Sequence, residues 1–237
     1  MNRIAENLAS VKERMVAAAE RSGRPPDSIK LVPVTKGRSI SEIQSLLAAG
    51  ATDIGENRIQ EAQQKYDPIH SFLAASNTRK CDWHLIGHLQ RNKVKSALEI
   101  FSLIHSVDSL RLLAEISRRT EVLKKQTDIL IQINTTGEES KFGLDSEDVF
   151  DFMEKSLSYS SVRIVGLMTM GVLSPSPETN RPAFALLRTL SDRIKTEKYP
   201  GITMQYLSMG MTDDFEVAIE EGANLVRIGR AIFETTV

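Results

Sequence analysis

Four short stretches carry side chains that could act together on one small molecule. The first, Lys30-Leu31-Val32-Pro33-Val34-Thr35-Lys36, is an apolar run ending on an amine just before Gly37. A lysine where a buried strand meets a loop loses water along its stem. Its ammonium then gives up a proton more readily, and the neutral amine is a nucleophile toward a carbonyl carbon. The second and third, Ser208-Met209-Gly210-Met211 and Arg227-Ile228-Gly229-Arg230, each hold a glycine that lets backbone N–H groups approach an anion closely, and Ser208 adds a hydroxyl donor. The fourth, Gly55-Glu56-Asn57-Arg58, offers an amide. Each has a plainer account: Lys36 as a solvated strand end, either glycine as a turn, Asn57 with Gln60 as a helix N-cap. His84 and His105 read as buried, hydrogen-bonded core histidines, and Met168, Met170, Met209 and Met211 as apolar lining. The four histidines, lone cysteine and scattered carboxylates show no metal-ligand spacing, and there is no Gly-x-Ser-x-Gly elbow.

These groups must be positioned by a chain of 237 residues with 41% hydrophobic content, enough for a large core. Its 30 basic and 31 acidic residues leave no global charge excess, so neither nucleic acid nor an anionic membrane is expected as a partner. The N-terminal stretch lacks the continuous apolar run of a signal peptide, and no segment is long enough to span a bilayer. With Cys81 as the only cysteine, no intrachain disulfide can form, and a cytoplasmic protein is the expectation.

Residues 2–21 read as an amphipathic helix, with Ile4, Leu8, Val11, Met15 and Ala18 at three-to-four spacing, ended by Gly23, Pro25 and Pro26. Strand and helix then alternate. Strand 30–36 precedes helix 41–49, for which Ser41 and Gln44 fit a capping box. Strand 52–55 precedes helix 57–65, and after a polar loop over 66–81 strand 82–87 precedes helix 91–98. Strands 102–107, 127–134 and 162–168 precede helices 109–125, 146–157 and 180–197, with 137–141 as a polar loop and 171–180 irregular. Strand 203–207 precedes helix 213–221, and strand 224–228 comes last. The strands are short and apolar, as expected where both faces are covered. Eight such units predict an α/β fold, a single (β/α)8 barrel over residues 1–237 with right-handed crossovers. The chain ends soon after strand eight, so helix 2–21 is expected to fill the slot between strands eight and one.

In such barrels active groups lie at the C-terminal ends of the strands, and the loops after strands seven and eight commonly cradle phosphate. Lys36 lies at the end of strand one; Ser208, Gly210, Gly229 and Arg230 follow strands seven and eight. A lysine facing a phosphate cradle suits a phosphorylated aldehyde held as a Schiff base, and pyridoxal 5′-phosphate has both handles. Arg227 is then the natural neighbour of the pyridine nitrogen. A guanidinium cannot accept a proton, so it keeps that nitrogen unprotonated and the ring a poor electron sink.

The chain resembles the pyridoxal phosphate homeostasis protein family along nearly its whole length. The segments that carry the resemblance are Val32–Lys36, Gly55–Glu61, Trp83–Lys93, His105–Ser109, Gly166–Met170, Leu207–Met211 and Val226–Phe233. The family is similar to the barrel domain of alanine racemase. The resemblance implies pyridoxal phosphate on Lys36, its phosphate near Ser208, Gly210 and the Gly229–Arg230 turn, its ring against Asn57 and Arg227, and Met168 and Met211 beside it. Three positions depart from the family's pattern: Thr212 stands for the commoner serine, Arg230 for a frequent threonine, and Glu234 for a frequent glycine.

The implied function is intracellular buffering and delivery of pyridoxal phosphate without established turnover, with apo pyridoxal phosphate enzymes as candidate recipients and a monomer as the default state. A racemase-like enzyme is the alternative. Racemisation needs acid/base groups on both faces of the substrate carbon, and Tyr66, Tyr159, Tyr199 and Tyr206 include no obvious candidate. A cofactor-free Schiff-base aldolase would need an acid/base group beside Lys36, which the sequence does not clearly supply.

Overall fold

A computed structural model describes residues 2–76, 80–138 and 142–234; parts of the polar loops expected at 66–81 and 137–141 lie outside them. Helix α1 (Arg3–Arg21) starts at Asn2, whose side chain accepts from the Ile4 N–H, and it buries Ile4, Leu8, Val11, Met15, Ala18 and Ala19. Strands and helices then alternate: β1 (Lys30–Pro33), α2 (Ile40–Ala48), β2 (Asp53–Glu56), α3 (Ile59–Ala75), β3 (Asp82–Leu85), α4 (Val94–Ile100), β4 (Leu103–Val107) and α5 (Leu110–Val122). There follow β5 (Thr127–Asn134), the two-residue β6 (Leu144–Asp145), α6 (Val149–Ser156), β7 (Val162–Met168), α7 (Arg181–Glu197), β8 (Ile202–Ser208), α8 (Phe215–Glu220), β9 (Leu225–Ile228) and the one-turn α9 (Arg230–Phe233).

Eight strands pair in parallel in the order β1-β9-β8-β7-β5-β4-β3-β2. The two ends of this run meet where Val34 bridges to Gly55 and the Thr35 N–H donates to the Gly55 carbonyl at 2.9 Å. The sheet is thus a nearly closed barrel ringed by helices, as the alternation predicts. β6 is an addition to it, pairing only with β5 beyond the ring. Apolar side chains fill two compartments. A large core lies between strands and helices, and a smaller inner layer joins Val32, Leu103, Leu130, Val165, Met168 and Leu225 from five strands.

Helix α1 occupies the expected slot. Asn7 donates to the Ile232 carbonyl at 3.0 Å, Arg14 and Arg21 pair with Glu216 and Glu220 of α8, and Arg24 donates to the Ile219 and Ala223 carbonyls at 2.9 and 2.7 Å.

Several boundaries differ from expectation for identifiable reasons. The polar loop expected from residue 66 is helix, because Ile59, Ala62, Lys65, Ile69 and Leu73 make one continuous buried stripe that outweighs the backbone bond lost at Pro68. β1 stops at Pro33, so Lys36 sits in the following turn rather than on the strand. Ser39 and Glu42, not Ser41 and Gln44, form the capping box of α2: the Ser39 hydroxyl accepts from the Glu42 N–H, and the Glu42 carboxylate accepts from the Ser39 N–H. A charged carboxylate in the first turn is favoured over an amide by the helix dipole.

Candidate active-site cavity

At the C-terminal ends of the strands lies a cavity of about 510 Å³. Its wall brings together Lys36, Asn57, Met211, Arg227, Gly229 and Arg230, with Val34, Ile86 and Met170 as apolar neighbours. Three expected residues are placed differently. Met168 is fully buried in the inner apolar layer. Ser208 is also fully buried, and its hydroxyl, expected to face a phosphate, contacts Arg227 and His105 instead. Gly210 does not line the cavity. Its φ of +91° and the 2.6 Å separation that a Cβ would have from the Ala218 Cβ show that it seats the β8 loop on α8.

Lys36 is exposed, not dehydrated along its stem, because the strand has ended three residues earlier. Among the described residues its amine has no hydrogen-bond or ion-pair partner. Its neighbours in the chain are fixed from outside the barrel. The Thr35 hydroxyl donates to Glu56 Oε1 at 2.6 Å, and the Gly37 N–H donates to Glu61 Oε1 at 2.5 Å. Lys65 on α3 joins them, donating to the Thr35 carbonyl, Glu56 and Glu61 at 2.7, 2.7 and 2.6 Å. Burial pushes the Glu56 carboxyl above its usual range, although Lys65 and Thr35 pull the other way.

Asn57 is not an N-cap: α3 is preceded by Arg58 and has no side-chain cap. Its Oδ1 is buried and has no hydrogen-bond partner among the described residues. The end of β3 comes so close that a Cβ on Gly87 would lie 2.2 Å from the Asn57 carbonyl oxygen, so only glycine fits there.

Arg227 is buried, with Nη1 donating to Ser208 Oγ at 2.5 Å and Nη2 to the Thr169 carbonyl at 2.8 Å. These contacts use two of its five N–H donors. Desolvation lowers the guanidinium to about 10, opposed by Asp214, and it stays charged at neutral pH. Asp214 is itself buried, accepting from the Met211 N–H at 2.6 Å and from Asn180 Nδ2 at 2.8 Å. The other rim cations are already paired, Arg230 with Asp213 and Arg38 with Glu234. Among the described residues, Lys36 and the spare donors of Arg227 are therefore the cationic groups of the wall open to a ligand.

His84 and His105 are buried core histidines, as expected, but they bond to each other and to functional neighbours. Asn180, Asp214, Lys65 and Asp53 were not singled out by sequence: each is a common polar residue whose partner lies on another element. A second cleft of about 570 Å³ lies at the opposite end of the barrel, beside Lys30, Asp53 and Tyr206, where Lys30 and Asp53 satisfy one another at 2.8 Å. Among the described residues no group of histidine, cysteine and carboxylate could hold a metal, and no helix is long and apolar enough to cross a membrane.

The residues on the wall fit pyridoxal 5′-phosphate. They offer a free primary amine, a buried amide oxygen lacking a donor, and a cation whose donors cannot accept a proton.

A parallel barrel with a lysine after its first strand defines a class. Residues 2–236 match the family described as alanine racemase, N-terminal domain. An alanine racemase of Clostridium difficile superposes with a TM-score of 0.74 at 14% identity, covering 100% of this chain and 57% of that one, a likeness of fold alone. The pyridoxal phosphate homeostasis protein of Aquifex aeolicus is 39% identical over 228 residues, 96% of each chain. PipY of Synechococcus elongatus, in a structure with PLP bound, is 33% identical with a TM-score of 0.81, covering 97% of this chain and 99% of that one. The chain belongs to the family of pyridoxal phosphate homeostasis proteins.

Proposed function

We propose that the chain binds pyridoxal 5′-phosphate in the cavity at the C-terminal end of the barrel and buffers and delivers it within the cytoplasm. The observation that carries this reading is the unpartnered amine of Lys36 sharing one cavity with the spare donors of Arg227. Family membership supports it, as does the PLP in the PipY structure. Lys36 is the covalent anchor: its amine nitrogen joins the aldehyde carbon with loss of one water, forming a Schiff base. Asn57 and Arg227 orient the ring. We assign the phosphate to Thr212 and the Gly229–Arg230 turn, which share the cavity wall with Met211, while Gly210 supports that wall from behind by seating the β8 loop on α8. Bound cofactor supplies an electrophilic carbon and a conjugated ring; the chain supplies attachment and orientation.

We read the protein as a carrier rather than an enzyme. None of the four tyrosines lines the cavity, and Tyr206 faces the opposite cleft. Asp214 is occupied by Met211 and Asn180. Arg227 offers the ring nitrogen no proton acceptor. A single barrel accommodates the whole reading, with a monomer as the working unit and apo pyridoxal phosphate enzymes as recipients. Titrating cofactor-free protein with pyridoxal 5′-phosphate while following visible absorbance tests the reading. Saturable uptake to one per chain is expected, and no uptake at millimolar cofactor would overturn it.

A further inference from the structure

A chain of buried hydrogen bonds runs through the barrel from the cavity to the opposite rim. Arg227 Nη1 lies 2.5 Å from Ser208 Oγ, which lies 2.9 Å from His105 Nδ1. His105 Nε2 is 2.9 Å from His84 Nδ1, and His84 Nε2 is 2.9 Å from Asp53 Oδ1. Asp53 also accepts from Lys30 Nζ and Thr52 Oγ1, at 2.8 and 2.7 Å. All five residues of the chain are buried, and they come from five different strands.

The ends fix the direction of every bond between them. Arginine can only donate, and a carboxylate can only accept. The His84–Asp53 contact therefore needs a proton on His84 Nε2. A neutral His84 then accepts at Nδ1, so His105 must donate from Nε2 and accept at Nδ1. The Ser208 proton fills that link, leaving the serine oxygen free to receive Arg227. Each of the four contacts holds one proton, with none missing and none in excess. Turning either neutral ring around would oppose lone pairs at 2.9 Å in a dry interior, where an unmade hydrogen bond is costly. Burial pushes the His105 imidazolium well below its usual range, in keeping with a neutral ring.

We propose that Ser208, His105, His84 and Asp53 are positioning residues for Arg227, fixing the plane of its guanidinium and extending the influence of the Asp53 carboxylate to the cavity along aligned dipoles. The binding of the cofactor's ring nitrogen thus depends on a carboxylate at the far rim of the barrel. This extends the reading of the Lys36 cavity as a pyridoxal phosphate site and rests on it.

The test begins with cofactor-free wild-type protein, where two-bond 1H–15N spectra at neutral pH report each imidazole. Both rings should be neutral with the proton on Nε2. A proton on Nδ1 of either, or a doubly protonated His84, overturns the assigned direction. Asp53→Asn keeps the shape and removes the charge. It should weaken pyridoxal phosphate binding about tenfold, move the pH at which the bound cofactor's absorbance changes, and release the hindered rotation of the Arg227 Nη groups seen by NMR without cofactor. His84→Gln should do the same, and Asp53→Glu should restore part of the loss. A variant that melts earlier yet keeps wild-type affinity, pH profile and arginine rotation would reduce the chain to a structural role and overturn the proposal. Wild-type protein that takes up no cofactor defeats the site reading and the claim about the ring nitrogen together, while the cofactor-free arginine spectra still decide whether the chain positions Arg227.

Discussion

Lys36 owes its place to residues that never touch the cavity. Thr35 and Gly37, on either side of it, bond to Glu56 and Glu61, and Lys65 ties both carboxylates to the same turn. Replacing Lys65 with Met keeps the buried stem and removes the charge, leaving Glu56 desolvated beside a single hydroxyl. Breaking one side of a buried ion pair costs about 3–5 kcal/mol, so Lys65→Met should lower the urea midpoint substantially. A Lys65→Met, Glu56→Gln double variant should recover part of that loss. Arg227 supports a second prediction. Because a guanidinium keeps the ring nitrogen unprotonated, protein loaded with pyridoxal phosphate should leave the α-hydrogen of alanine essentially unexchanged in deuterium oxide, as read by NMR. Rapid exchange that disappears in Lys36→Ala would show an enzyme rather than a carrier.

At the scale of the elements, α1 closes the ring of helices. It buries Ile4, Leu8, Val11 and Met15, each worth roughly 1.5–3 kcal/mol before chain entropy is counted. Their sum rivals the whole net stability of a typical domain, about 5–15 kcal/mol. A chain beginning near Pro26 should therefore be insoluble or should melt without a cooperative transition, by calorimetry. Cooperative unfolding at an unchanged temperature would show α1 to be dispensable. The order and type of these elements could be read because the barrel strands are short apolar runs buried on both faces, while α1 repeats its apolar residues at three-to-four spacing. Boundaries were harder where two local signals compete. Ser39-x-x-Glu42 and Ser41-x-x-Gln44 both fit a capping box, and the polar stretch from residue 66 reads as a loop until the buried stripe through Ile69 and Leu73 is in view. The two-residue β6 has no periodicity of its own; only its bridge to β5 defines it.

At the scale of the whole molecule, closing the sheet creates contacts that no single segment encodes. The lysine, the asparagine and the arginine of the cavity were legible because each stands at a strand end, where this architecture places function. The bond of Ser208 to His105 was not, because it depends on the register of strands 103 positions apart in sequence. Asp53 carries a consequence for acid stability. Burial alone would raise its carboxyl, but His84, Lys30 and Thr52 together hold it at about 2, against 3.8 when unperturbed. A group lowered on folding stabilises fully above its unfolded value and loses that contribution as pH falls toward the folded one. Stability should therefore drop by on the order of 2 kcal/mol from this group as pH falls from about 4 to 2. Chemical denaturation across that range should show a shallower fall in Asp53→Asn, from a lower starting stability.

Cofactor binding in this barrel turns above all on Lys36 as the proposed covalent anchor. Loading the protein with pyridoxal 5′-phosphate, reducing it with borohydride, and sequencing the labelled peptide by mass spectrometry tests that claim directly. The modification should fall on Lys36, and Lys36→Ala should remain unlabelled under the same conditions. Stoichiometric label on another lysine, with Lys36 unmodified, would contradict the assignment.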